Sequence, residues 1–76
     1  MEKIFSMLEN LRPEFNFRNS TNFIDDGYLD SFDMVQLVAD IEETFNVKID
    51  GLDIVPGNFE TAEAIVNLVR KSGGTI

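Results

Sequence analysis

Apolar residues recur at helical spacing in three places along this chain. Ile4, Phe5, Leu8 and Leu11 mark the first. Arg12-Pro13 closes it, because a proline ring disfavours helix in the residue before it. A helix of about ten residues is predicted there. Ser31 to Phe45 is the clearest run: it holds neither Gly nor Pro and places Met34, Leu37, Val38, Ile41 and Phe45 at i, i+3, i+4 spacing. The third run begins after Thr61, a residue type suited to capping. Glu63 lies in its first turn, and Arg70 and Lys71 lie in its last, matching the helix dipole at both ends. Ala62, Ile65, Val66 and Val69 supply its buried stripe, flanked by Leu68.

Between these runs the pattern changes. From Arg12 to Asp30 periodicity fails and Asn, Ser, Thr, Asp and Gly accumulate, with Phe15, Phe17, Phe23 and Ile24 scattered among them. We expect a long loop pinned to the core by its aromatic side chains, and a loop of that length points to a role. Asp50 to Val55 leaves room for one short turn of helix before Pro56-Gly57-Asn58 interrupts. No strand alternation, internal repeat or low-complexity tract is present. The expected fold is all-α: a small four-helix bundle with three main helices, one short one and a long loop between the first and second. It forms a single domain over 1–76, with 72–76 as a frayed tail.

The second helix carries more apolar surface than one core requires. At about 100° per residue, Met34, Leu37, Val38, Ile41 and Phe45 share one side. Phe32, Val35 and Ala39 form a second stripe on nearly the opposite side, bordered by Asp33, Gln36, Glu42 and Glu43. A small domain cannot bury both faces, so an apolar ridge with an acidic rim is left for a partner. A plainer alternative has Phe32 folding back over the long loop, with Val35 a tolerated exposed residue. Charge favours the partner. From Asn19 to Val47 there are seven acids (Asp25, Asp26, Asp30, Asp33, Asp40, Glu42 and Glu43) and no Lys or Arg. A merely solvated acidic face would carry some bases, so a basic protein surface is the expected partner.

Composition then excludes several classes. The chain has 76 residues, no cysteine and no histidine, and a net charge of −8. Disulfides, thiol chemistry, zinc sites and histidine acid–base mechanisms drop out, and nucleic acid would be repelled. No apolar run approaches the roughly 20 residues of a membrane span. Met1-Glu2-Lys3-Ile4 does not read as a signal peptide. A cytoplasmic monomer, complete or nearly so as it stands, is the expectation.

Ser31 opens the second helix within Asp25-Asp26-Gly27-Tyr28-Leu29-Asp30-Ser31-Phe32-Asp33. Serine is a preferred N-cap, and capping alone would account for it. A helix N-terminus also favours an anionic group attached to or bound by that serine. Asp30-Ser31-Phe32, preceded by Asp26-Gly27-Tyr28-Leu29, resembles the attachment motif of acyl carrier proteins. The resemblance continues through Val35-Gln36-Leu37-Val38 and Ile41-Glu42-Glu43-Thr44-Phe45. It runs on through Asn58-Phe59-Glu60-Thr61 to Leu68-Val69, and so covers about Phe23 to Val69.

That resemblance implies a non-catalytic carrier of acyl or aminoacyl groups, held as a thioester on a 4′-phosphopantetheine arm derived from coenzyme A and attached to Ser31. Asp30 would be the motif acid that the phosphopantetheinyl transferase recognises. Phe32, Val35 and Ala39 match the family's apolar docking positions, and Asp33, Glu42 and Glu43 its acidic ones; Gln36 replaces a frequent Glu. Loading and acyl-transfer enzymes with basic docking surfaces would be the partners. The stretch from Phe45 to Thr61 is longer than in fatty-acid carriers and resembles D-alanyl and peptidyl carriers. Asp33 after the motif, in contrast, resembles fatty-acid carriers.

Other readings fit less well. A hydrolase needs a base beside Ser31, and no G-x-S-x-G surrounds it. The spacing of Asp25, Asp26, Asp30 and Asp33 fails the EF-hand rule. Gly73-Gly74 suggests a ubiquitin-like modifier, but Thr75-Ile76 follows and the chain is helical where that fold needs strands. The serious alternative is an unmodified acidic helical adaptor binding a basic protein, with Ser31 only a cap.

Overall fold

The structure, a computed structural model, describes residues 1–76. Three α-helices form where the periodicity places them: α1 Glu2–Leu11, α2 Ser31–Phe45 and α3 Ala62–Lys71. There is no strand. α1 stops at Arg12, whose φ of −137° and ψ of 78° lie outside the α region that a following proline disfavours. α2 ends at Asn46, which takes the left-handed conformation that asparagine tolerates at a helix terminus. Thr61 Oγ1 accepts from Ala64 N–H at 3.0 Å and so caps α3.

The two connectors differ from expectation in detail. The long loop after α1 contains a 3₁₀ turn, Phe17–Asn19, and is organised by aromatic packing. Phe17 and Phe23 are fully buried and meet edge to face at 5.1 Å. Tyr28 lies edge-on to Phe17 and stacks on Phe15 at 4.4 Å. Arg18 ties the loop to α1: its guanidinium covers the Phe5 ring and pairs with Glu2 and Glu9. The expected short helix is instead a pair of 3₁₀ turns, Gly51–Asp53 and Pro56–Asn58. Asp50 caps the first, and Pro56 starts the second where a missing N–H costs nothing.

One core unites the helices. Ile4 and Leu8 from α1, Leu37 and Ile41 from α2, and Ile65 and Val69 from α3 are all fully buried, with Phe59 packed among them. Leu68, expected to flank that stripe, is buried with it. Phe45 is half-buried at the edge of this core. The C-terminal residues turn back onto the domain. Gly73 N–H donates to Arg70 O and Gly74 N–H to Val69 O. The Arg70 guanidinium donates to the Ile76 carbonyl, and Ile76 packs on the core. A β-carbon on Gly74 would collide with the Val69 side chain, so this return of the chain requires glycine. No helix is long and apolar enough to cross a membrane.

Candidate functional site

The start of α2 is built from residues that lock each other. The N-cap is Asp30: its Oδ1 accepts from Asp33 N–H at 2.9 Å, and Asp33 Oδ2 accepts from Asp30 N–H at 3.2 Å. This reciprocal capping box satisfies two helix-end donors at once. Ser31, enclosed by that ring, is the first helical residue. It is exposed, and neither its hydroxyl nor its backbone N–H is hydrogen-bonded to the protein. The alternative in which Ser31 serves only as the cap is therefore not what the helix start shows. Asp30 takes that role because its carboxylate, one residue earlier, reaches the amide three positions on.

Charge at this helix end is also arranged differently from the sequence pattern. Asp33, expected on the outer acidic rim, is 3% exposed. Arg12 at the end of α1 accounts for this. Its Nε donates to both Asp33 oxygens at 3.1 Å, its Nη2 lies 3.0 Å from Oδ2, and its Nη1 reaches Glu14 at 3.2 Å. Those hydrogen bonds, the one to Asp33 foremost, hold the Arg12 proton even more firmly than usual. The Asp30 carboxyl is held below the ordinary aspartate range, chiefly by the Asp33 backbone N–H, with the nearby Arg12 charge assisting. Asp33 is thus set apart from the exposed acids of α2, its carboxylate buried and engaged by Arg12.

The outward face of α2 is otherwise as the wheel predicts. Phe32 is 69% exposed, so it does not fold back over the loop, and Val35 is 61% exposed. Gln36, Ala39 and Glu43 are exposed with them. Glu42 is half-buried, and one of its oxygens accepts from Ile49 N–H at 2.9 Å, anchoring the chain after α2. Its availability to a partner is reduced. Asp40, one turn beyond Gln36, is an exposed acid on the same face that the apolar stripe gave no reason to single out. Leu52, at 86% exposure, and Val55 are two further exposed apolar side chains, on the 3₁₀ connector. Their short segment has no periodicity from which exposure can be read.

Basic residues elsewhere are largely occupied. Arg12 and Arg18 pair as described, Lys71 bonds Asp53 at 2.7 Å, Arg70 holds the C-terminal carbonyl, and Lys3 sits over Phe45. The acids on the outer face of α2 are therefore left uncompensated.

An anionic group on Ser31 suits this geometry. The hydroxyl is exposed and unengaged at the positive end of a 15-residue helix. The neighbouring Asp30 charge is partly offset by Arg12 Nη2 at 3.7 Å. The chain matches the family model described as "Phosphopantetheine attachment site" over residues 6–69. It is also 38% identical over 53 residues to an acyl carrier protein of Buchnera aphidicola subsp. Schizaphis graminum (strain Sg). That stretch is 70% of this chain and 66% of the relative, just under two thirds of its length. No solved structure gives a significant match.

Proposed function

This chain belongs to the phosphopantetheine-attachment family of acyl carrier proteins, and from that premise we propose that it carries acyl or aminoacyl groups on an arm attached to Ser31. The family's members are non-catalytic carriers of a covalent 4′-phosphopantetheine. When attached, that arm supplies a thiol that holds cargo as a thioester, so a chain without cysteine loses nothing. The observation that carries the assignment to Ser31 is its exposed, unbonded hydroxyl at the first position of α2, inside a ring that caps the helix without it.

The domain's own residues then divide the work. Asp30 and Asp33 fix the turn that presents Ser31. Phe32, Val35 and Ala39, with Gln36, Asp40 and Glu43 around them, offer a partner an apolar ridge with an acidic side. Glu42 contributes what its bond to Ile49 leaves free. Exposed ion pairs worth at most about 1 kcal/mol each suit a carrier that must leave one enzyme for the next. The partners are a phosphopantetheinyl transferase, drawing on coenzyme A, and loading and transfer enzymes with basic surfaces, in the cytoplasm. We count the paired 3₁₀ turns as the fourth, short member of a four-helix bundle, and read 1–76 as one domain and a monomer. Cargo of the fatty-acyl, D-alanyl or peptidyl kind fits this arrangement equally.

Intact mass tests the assignment. After incubation with coenzyme A and a broad-specificity transferase, wild type gains one phosphopantetheine and Ser31→Ala gains none. No gain on wild type, beside a control carrier that is loaded, would return the chain to the acidic adaptor reading. Reversing charge at Asp40 and Glu43 should slow loading and flatten its salt dependence, while Asp33→Asn leaves that salt dependence unchanged.

A further inference from the structure

Asp33 is the only buried charged residue in the chain, and its partner comes from 21 positions away. That separation spans the whole loop between α1 and α2. Arg12 is held at the end of α1, where its N–H donates to Leu8 O at 2.9 Å, so its guanidinium projects from a fixed base. It meets Asp33 with a fork of donors: Nε at 3.1 Å from both oxygens and Nη2 at 3.0 Å from one. The same Asp33 Oδ2 accepts the Asp30 N–H that closes the capping box. A single carboxylate therefore joins α1 to the ring of backbone around Ser31. The Ser31 hydroxyl and backbone N–H make no bond of their own, so the presentation of that hydroxyl depends on these neighbours and on the helix that follows.

We infer that Arg12 is a positioning residue for the modification of Ser31: it neutralises buried Asp33, keeps the Asp30–Asp33 ring closed, and so holds the attachment serine in the form a transferase accepts. The inference rests on the reading of Ser31 as the attachment site. Without Arg12, the Asp33 carboxylate would keep only the Asp30 N–H in a site 3% exposed. An uncompensated buried charge is strongly unfavourable, and its cheapest relief is to swing to water and open the ring. Ser31 then samples many orientations, and the affinity a transferase shows is reduced by the fraction still correctly held. A general loss of fold predicts something different: α3, which makes no hydrogen bond to this ring, would open with it.

The test uses the full chain with two readouts, transferase kinetics and amide hydrogen exchange. For Arg12→Gln we expect the KM for the carrier to rise about tenfold with kcat within about twofold, as a reduced competent fraction requires. Exchange at the Asp33 and Met34 amides, both bonded to Asp30, should quicken about tenfold, with Leu68 and Val69 in α3 unchanged. Adding Asp33→Asn to Arg12→Gln removes the stranded charge but keeps an acceptor for Asp30 N–H, so both readouts should return most of the way. Faster exchange with an unchanged KM would overturn the proposal, because the ring would then not matter to loading. Equal acceleration in α3 would also overturn it, making Arg12 a general prop of the fold. If no transferase loads wild type, the carrier reading falls and the role at Ser31 with it. Exchange would still show whether Arg12 holds the turn.

Discussion

Two helix starts in this molecule use the same register for opposite ends. α2 and α3 each begin one residue after a side chain that accepts the amide three positions on: Asp30 to Asp33 in one, Thr61 to Ala64 in the other. The first helical residue is Ser31 in α2 and Ala62 in α3. Ala62 is 5% exposed and sits in the core, whereas Ser31 is exposed with a free hydroxyl. At α3 the cap serves packing. At α2 the cap is doubled and fastened to α1 by Arg12, and the residue it surrounds is presented outward. The difference teaches that capping the helix and presenting a hydroxyl are separate jobs here, done by adjacent residues.

The largest effect should come from placing the same charge at both first positions. Ala62→Glu forces a carboxylate into a packed site with no partner, and should destabilise the domain by roughly 3 kcal/mol or more. That is most of the stability that a chain of this size holds. Ser31→Glu adds an anion to an exposed helix start, and should stay within about 0.5 kcal/mol of wild type. Urea unfolding of the two variants side by side measures this. Similar losses at both positions would erase the distinction between a packed start and a presented one.

The caps themselves come next. Thr61→Ala should cost about 1 kcal/mol, an ordinary cap deletion. Asp30→Ala should cost more, since it removes one arm of the reciprocal box. Only the Asp30 loss should depend on pH. Its carboxyl is held below the ordinary range by the Asp33 N–H, so the folded state prefers the ionised form. The stability this gives is present above about pH 4 and fades as pH falls through the folded-state value. Melts at pH 7 and pH 3 should therefore show the Asp30→Ala deficit shrinking in acid, while the Thr61→Ala deficit persists.

Much of this was legible in the pattern of residues, and the exceptions share a cause. The bounds of α2, the cap of α3 and the exposed Phe32–Val35–Ala39 stripe follow from spacing along one element, which periodicity reports directly. Asp33 was misplaced on the outer rim because its burial is set by Arg12, across a loop without periodicity. Glu42 is likewise drawn inward by the Ile49 amide. The C-terminal residues fold back because Gly74 permits close approach to Val69 and Ile76 finds the core, neither of which is a local signal. Ser31 and Asp30 are both good capping residues, so composition did not choose between them. The carboxylate three residues after Asp30 did carry the signal, as half of a capping box.

The smallest expected effect tests the comparison most directly. If Ser31 contributes nothing to the helix start, Ser31→Ala should leave unfolding free energy within about 0.5 kcal/mol of wild type, since alanine is at least as good a helix former at an exposed position. The same substitution should abolish loading of the arm. Few positions in a small domain join a near-zero effect on stability with a complete loss of modification, and the geometry predicts that pairing at Ser31: a hydroxyl exposed, unbonded and enclosed by a ring that closes without it. A loss of about 1 kcal/mol would mean that the serine shares in capping after all. The two helix starts would then differ only in burial, and the separation of cap from presented serine would fail.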